Sequence, residues 1–273
     1  MKRSDFILGL GPSSSADRAL LLQRALELGL GRVNTPDTDG LAAFTAKFTK
    51  KSNLKIQTHF HLRAGGQTLN ELFEQTCAAM GVNELETYSF ENIEDLKTNP
   101  QSLIELAELK KKGRLQNIGV FVDSEASILA ASKIPPVQVL QVSFNLIENS
   151  LRWGSALKKA AEAGKTLQAR APFLRGALIR PLESLPENLQ AFSPSVKKLK
   201  DLAGRSKMPM ESLCLAYVLQ QKLFSAVIVG AESKDQLVKN WQAYQSASRL
   251  QIQSDEIHRI TQEDSKNLNL SSV

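Results

Sequence analysis

Two histidines stand close together near the end of an apolar segment, Leu54 to Leu62. Alternate residues of a β-strand lie on the same face, so His59 and His61 would present both imidazoles to one side. An imidazole binds divalent metals and exchanges protons near neutral pH. The pair is therefore a candidate for metal-assisted or acid–base chemistry. No ligand spacing around it is diagnostic of a metal, and polar residues at a wet strand end are the plainer interpretation.

The elements that would position such residues are clearest between Leu103 and Asn145. Apolar residues at helical spacing among glutamates and lysines predict a helix that ends at Gly113. Leu115 to Phe121 is short and rich in apolar residues, as expected of a strand that is covered on both faces. A helix from Glu125 to Ser132 and a second apolar strand, Val137 to Val142, follow. Neighbouring strands joined through a helix must be parallel.

Strands and helices alternate along the whole chain. The other predicted strands are Phe6 to Leu10, Arg32 to Thr35, Leu54 to Leu62, Leu85 to Phe90, Thr166 to Arg170 and Phe224 to Val229. The other predicted helices are Ala16 to Leu28, Leu41 to Lys51, Thr68 to Met80, Leu151 to Ala163, Met210 to Lys222, one capped by Ser233 and an added C-terminal helix at about 252–267. Eight strands in roughly 250 residues favour a closed (β/α)8 barrel over an open doubly wound sheet.

A barrel of this kind carries its functional residues at the carboxyl ends of its strands. The segments that leave the predicted strands are therefore the candidates for a site. They are 34–40, 59–63, 90–92, 121–123, 141–145, 170–176 and 229–233. Gly9 and Gly11 after the first strand are a weak nucleotide signal, because the third glycine of the dinucleotide fingerprint is absent.

The length and composition of the chain limit the class of protein to which it can belong. With 273 residues and 42% hydrophobic residues, the chain is long enough for one large α/β domain, 1–273. No signal peptide or 18-residue apolar segment is evident, and the two cysteines, Cys77 and Cys214, fall in helical patterns. We therefore expect a cytoplasmic protein with packed thiols and no membrane association. The formal charge of +6 admits an anionic ligand, but the lysines alternate with acids, which argues against nucleic-acid binding.

The strand exits resemble those of the aldo-keto reductases over almost the whole chain. The resemblance is carried by ILGLG at 7–11, RALELGLGRVNTPDTDG at 24–40, ELKKKGRLQNIGV at 108–120, LQVSFN at 140–145, PFLRGAL at 172–178 and VIVGAESKDQLVKN at 227–240. It implies a (β/α)8 barrel that binds NADPH without a Rossmann domain and reduces aldehydes and ketones. A tyrosine donates the proton in that family, helped by a lysine, a histidine and an aspartate.

All four catalytic positions differ in this sequence. The resemblance places Asn34 at the family's aspartate, Asp39 at its tyrosine, His59 at its lysine and Glu91 at its histidine. A phenol, with a reference pKa of about 10, keeps its proton for a developing alkoxide, whereas a carboxylate has normally lost it. An alkoxide also loses the electrostatic support of an ammonium group. The sequence therefore argues against ordinary carbonyl reduction.

The cofactor positions are changed at the nicotinamide end. The family's Ser-Asn pair that holds the carboxamide corresponds to Phe121 and Val122, and the aromatic residue under the nicotinamide corresponds to Arg170. The position that grips the 2′-phosphate is Gln236, for which Lys234 or Arg175 can compensate in part. The resemblance retains four positions, one at the carboxamide and three at the pyrophosphate and adenine: Gln141, Gly230, Ser233 and Asn240. These positions predict no NADP(H) binding, or weak binding.

Each cofactor position also has a plainer interpretation. Gln141 can satisfy barrel backbone, Gly230 can serve a turn and Ser233 can cap a helix. Arg170 and Arg175 are close enough in sequence to attract an anion together, or they can be solvated surface arginines.

Three hypotheses follow for the function. The first is a pseudoenzyme whose barrel mouth binds a small molecule or a protein partner. The second is an NAD(P)H-dependent oxidoreductase with an unusual acid–base set at Asp39, His59 and Glu91. The third is metal-assisted chemistry at His59 and His61.

Overall fold

The computed structural model describes residues 4–10, 15–35, 54–60 and 68–267. Three of the sequence predictions fall outside these ranges. They are the helix at 41–51 and the positions of Asp39 and His61.

Eight parallel strands form a closed barrel, as the sequence predicts. The strands are β1 (Asp5–Leu10), β2 (Arg32–Asn34), β3 (Lys55–Phe60), β4 (Leu85–Phe90), β5 (Leu115–Val122), β6 (Val137–Ser143), β7 (Thr166–Arg170) and β8 (Phe224–Ala231). Each strand pairs with the next in sequence, and β8 pairs with β1 to close the ring, Gly9 lying opposite Gly230. All eight carboxyl ends therefore lie at one end of the barrel.

The described helices lie between and after the strands. They are α1 (Ser15–Glu27), α2 (Leu69–Met80), α3 (Ile93–Thr98), α4 (Pro100–Lys111), α5 (Glu125–Ser132), α6 (Ser150–Trp153), α7 (Ala156–Glu162), α8 (Ser193–Arg205), α9 (Met210–Gln220), α10 (Lys234–Ala247) and α11 (Ser254–Asn267). Two 3-10 helices, Leu182–Ser184 and Glu187–Phe192, precede α8. In the described part of the chain, no helix is both long and apolar enough to cross a membrane.

One predicted helix was wrong in its extent. The segment from Leu151 to Ala163 is not continuous, because Gly154 adopts a left-handed conformation with φ 48° and separates α6 from α7. The break lets the indole of Trp153 turn inward, where its Nε1–H donates to the carbonyl oxygen of Ser143 at 3.1 Å. Sequence reasoning also missed α8, although Val196, Leu199 and Ala203 recur at helical spacing and are buried.

The main apolar core lies between the strands and the helices. Tyr88 of β4 packs against Phe60 of β3 and, edge to face, against Phe73 of α2. Phe144, just after β6, lies parallel to Tyr217 of α9 with ring centroids 5.7 Å apart. Such rings bury a large apolar area and fix the helices in place. Cys77 and Cys214 are both buried, as expected.

The interior of the barrel is largely polar. The Gln141 side-chain amide donates to the side-chain oxygen of Gln57 at 3.4 Å and to that of Gln168 at 3.2 Å. Gln57 in turn donates to the carboxylate of Glu86 at 2.7 Å, and Arg32 donates to the same carboxylate at 3.1 Å. These side chains come from β2, β3, β4, β6 and β7, so the network spans the barrel. A small separate apolar cluster of Ile7, Ala226 and Ile228 fills the opposite side.

Substitution of Glu86 by alanine should destabilise the barrel. The change leaves the amide of Gln57 and the guanidinium of Arg32 without their shared acceptor, and Glu86 is only 7% exposed. We expect the free energy of unfolding in urea to fall by about 2 to 3 kcal/mol. The exposed neighbour Glu84 provides the matched control, and Glu84→Ala should change it by less than about 0.5 kcal/mol. Equal effects of the two substitutions would contradict the role of the network.

Candidate functional site

A pocket of about 390 Å³ opens at the carboxyl ends of β4, β5, β6 and β7. Its wall carries six charged side chains, three arginines and three acids: Arg152, Arg170, Arg175, Glu91, Asp123 and Glu148. The volume falls within the range of roughly 300 to 1,000 Å³ that is usual for small-molecule sites. Four of these residues, Glu91, Asp123, Arg170 and Arg175, lie in strand exits that the sequence marked as candidates.

His59 and Glu91 form a pair at one edge of this pocket. His59 lies near the end of β3 and Glu91 directly follows β4, and the pairing of Phe60 with Phe90 places the two strand ends side by side. The Nε2 atom of His59 lies 3.2 Å from a carboxylate oxygen of Glu91. The structure therefore brings together two of the four residues at the expected catalytic positions. A carboxylate partner of this kind orients an imidazole.

The Phe121 ring lies between His59 and Arg170. The centroid of the Phe121 ring lies 5.1 Å from the centroid of the His59 ring and 4.3 Å from the guanidinium carbon of Arg170. These residues come from β3, β5 and β7, which are not neighbours in the barrel. The side chains therefore cross the mouth in one connected row, which we call the mouth row: Glu91, His59, Phe121 and Arg170.

Arg170 is a half-buried cation in the wall of the pocket. Burial lowers the pKa of its guanidinium, and the like charge of Arg175 lowers it further, while Glu148 and Glu91 raise it. In the described part of the chain, no carboxylate oxygen lies within 4.0 Å of this guanidinium. The stack on Phe121 supplies a favourable cation–π contact, but that contact does not neutralise the charge.

Glu148 lies at the floor of the pocket and is almost entirely buried. The side-chain amide of Asn145 donates to its carboxylate at 2.9 Å and also to the carbonyl oxygen of Ala171. Burial raises the pKa of Glu148, and hydrogen bonds with Ser143 and Asn145, together with Arg152 and Arg170, oppose that rise. The side-chain oxygen of Asn145 accepts the N–H groups of Ile147 and Glu148, which fixes the turn that aims the carboxylate.

The segment after β7 forms the strained wall of the pocket. Ala171, Leu174 and Arg175 have positive φ values of 51°, 49° and 52°, although none is glycine. Each such conformation costs on the order of 1 to 3 kcal/mol and persists only when the surroundings enforce it. Backbone hydrogen bonds from Leu174 to Ala171 and from Ala177 to Leu174 hold the turns closed. The strain keeps Arg170 and Arg175 at the rim of one pocket.

The other cofactor candidates lie elsewhere and have structural partners. Gln141 belongs to the interior network described above and is 1% exposed. The hydroxyl of Ser233 accepts the N–H of Gln236 at 3.1 Å and caps α10. Asn240 donates to the carbonyl oxygen of Gly230 at 3.0 Å and ties α10 to the end of β8. The cap by Ser233 agrees with its plainer interpretation, whereas Gln141 bonds side chains and not barrel backbone, and Gly230 lies within β8 and not in a turn.

The remaining candidates concern catalysis and metal binding. Asn34 lies at the end of β2, and in the described ranges its buried side-chain nitrogen has no hydrogen-bond partner. Asp39 and His61 are outside the described residues, so the structure does not place them near His59. In residues 4–10, 15–35, 54–60 and 68–267, no three His, Cys, Asp or Glu side chains form a group that could hold a metal.

Sequence reasoning missed Glu148 and Arg152 as parts of the site. A signal was present for the first, since Asn145, Glu148 and Asn149 are three polar residues in an otherwise apolar segment after β6. All three are buried, and buried polar groups need partners. Arg152 gave no signal, because its place depends on the break at Gly154. Its guanidinium donates to the carbonyl oxygen of Asp123 at 3.2 Å and lies over the ring of Trp153.

Glu148→Gln should remove a pH dependence of stability. A buried carboxyl with a raised pKa binds its proton more tightly in the folded state than in the unfolded state. The carboxyl of Glu148 therefore destabilises the folded protein increasingly as the pH rises from the usual pKa of 4.5 through the raised pKa. We therefore expect the stability of the native protein to fall relative to Glu148→Gln over that interval in urea denaturation. The exposed Glu162→Gln should show no such trend. A constant difference between the native protein and Glu148→Gln at all pH values would contradict the burial of an ionisable carboxyl.

Comparison with known proteins agrees with this architecture. The model of the aldo/keto reductase family matches residues 42–264 of the 273. No protein with curated annotation matches the sequence.

Proposed function

Because the chain belongs to the aldo/keto reductase family, we propose that it is a member without ordinary carbonyl reductase activity, which binds a small molecule in the pocket at the barrel mouth. The observation that carries the proposal is the contact of 4.3 Å between the Arg170 guanidinium and the Phe121 ring. Both residues stand at positions that the family uses for the nicotinamide of the cofactor.

The residues at the nicotinamide end do not fit that group. A nicotinamide needs an aromatic surface to stack on and polar groups for its carboxamide. Here the residue expected to provide that surface is a cation that is packed against Phe121, and Phe121 and Val122 replace the polar pair. A cation beside oxidised nicotinamide is unfavourable. NADP(H) binding should therefore be absent or weak.

The charges around His59 also oppose carbonyl reduction. Reduction places a developing negative charge on the carbonyl oxygen, which needs a cation or hydrogen-bond donors. The carboxylate of Glu91 lies 3.2 Å from the imidazole that would have to supply this support. An alkoxide at that point would meet a negative group that already engages the imidazole.

The same pair supports a second candidate function. An imidazole held by a carboxylate can transfer protons, so His59 and Glu91, with Asp39, could serve an NAD(P)H-dependent oxidoreductase with unusual acid–base groups. This candidate requires tight cofactor binding, and the first requires its absence. Cofactor affinity therefore separates the two.

Fluorescence titration with NADPH and NADH tests the proposal. We expect no saturable binding up to about 1 mM cofactor, which corresponds to a binding free energy weaker than about −4 kcal/mol. Purified protein should also fail to oxidise NADPH in the presence of common aldehydes. Micromolar binding or ordinary turnover would overturn the proposal and favour the oxidoreductase.

A variant with a restored nicotinamide end should gain affinity. The triple variant carries Phe121→Ser, Val122→Asn and Arg170→Tyr. It removes the Phe121 ring from the mouth and supplies the polar and aromatic groups that the family uses. We expect NADPH to bind at least about tenfold more tightly, a gain of about 1.4 kcal/mol. The control carries Ile104→Ser, Leu223→Asn and Arg249→Tyr, three exposed positions away from the mouth. No gain over this control would show that these side chains are not what excludes the cofactor.

A further inference from the structure

The mouth pocket has the features of a site for a small carboxylic acid. We propose that its ligand carries one carboxylate, which binds Arg170 and Arg175, on a compact apolar body that lies along the Phe121 ring. The inference rests on the proposed function, because it requires a pocket that no nicotinamide occupies.

The guanidinium of Arg170 lines the pocket without a counterion from the described residues. Arg170 is half-buried, and no carboxylate oxygen of the described residues lies within 4.0 Å of its guanidinium. A charge that is partly removed from water without a counterion is costly, and an anion of the ligand would offset that cost. The Phe121 ring fixes one face of the guanidinium, so its N–H groups remain oriented for an in-plane acceptor.

Arg175 adds a second positive charge to the pocket. Its backbone lies in the left-handed region at φ 52°, where an arginine is disfavoured. This conformation brings a second guanidinium to the pocket, close enough for its charge to act on Arg170. Two like charges held together by a strained backbone repel each other, and an anion between them relieves that repulsion.

The acidic residues of the pocket favour a carboxylate over a phosphate as the ligand's anion. Three acids, Glu91, Asp123 and Glu148, also line the pocket, so its net charge is close to neutral. A dianionic phosphate would be repelled by these acids, whereas a monoanion on the two arginines would not be opposed to the same degree. A carboxylate also matches the planar, two-point geometry of a guanidinium.

The rest of the ligand would meet an apolar surface. The apolar part of the pocket wall consists of Phe121, Val122, Leu174 and Leu189. The volume of about 390 Å³ is near the lower end of the usual range of roughly 300 to 1,000 Å³. Such a pocket suits one aromatic ring or a short branched chain.

Calorimetric titration of the full chain with benzoate at low ionic strength tests this inference. Benzamide serves as the uncharged probe of the same shape, and inorganic phosphate as the dianionic probe. We expect benzoate to bind with a dissociation constant of about 1 mM or tighter. Benzamide and phosphate should bind at least about tenfold more weakly, because each lacks either the charge or the matching geometry.

Variants locate the binding in the pocket. Arg170→Met keeps the length of the side chain and removes its charge, and we expect it to weaken benzoate binding by about ten- to a hundredfold. Arg175→Met should weaken it by a smaller factor and replaces the first variant if that one does not fold. The exposed Arg249→Met should leave benzoate binding unchanged.

Two outcomes would overturn the carboxylate inference. One is an absence of benzoate binding by the native protein, and the other is equal benzoate affinity in the native protein and Arg170→Met. Either result leaves the proposed function standing as long as NADPH does not bind. Tight NADPH binding would overturn the proposed function itself, whatever the benzoate titration gives.

Discussion

The contact between Phe121 and Arg170 determines what the barrel mouth can accept. It joins β5 to β7 across the opening at 4.3 Å, and the His59 ring packs near Phe121 from β3. Phe121 thereby keeps the guanidinium in place, and no carboxylate of the described residues pairs with its charge. The turn with positive φ values at Ala171, Leu174 and Arg175 directly follows the same strand end. The character of the pocket, charged on one side and apolar on the other, follows from this one contact.

The barrel can carry such a polar mouth because its stability comes mainly from elsewhere. The large rings of Phe60, Tyr88 and Phe144 lie between the strands and the helices, not inside the barrel. The interior is instead a hydrogen-bonded layer of glutamines that is anchored on Glu86. A hydrogen-bonded layer of this kind is specific in geometry, since each donor needs an acceptor. Substitutions at the carboxyl ends of the strands therefore leave the apolar core between the strands and the helices unchanged.

The sequence predicts the barrel well and the site only in part. The strands place apolar residues under the helices even where their inward residues are polar, so most of them give a short segment that sequence reasoning finds. His59, Glu91, Phe121 and Arg170 were predicted at the mouth because they follow or end strands. Their mutual contacts were not predicted, since they link strands that are far apart in sequence. The break at Gly154 was not predicted because it goes with the burial of Trp153 and not with periodicity, whereas α8 was missed although its apolar residues recur at helical spacing.

The most direct test of this account is saturation-transfer NMR on a mixture of the protein and NADP⁺. The method reports which protons of a ligand approach the protein, so it distinguishes the two ends of the dinucleotide. With the Phe121 ring against Arg170, the account predicts no transfer to the nicotinamide protons, even where the adenine protons receive some. Strong transfer to the nicotinamide protons would contradict the claim that these two side chains close that end of the site.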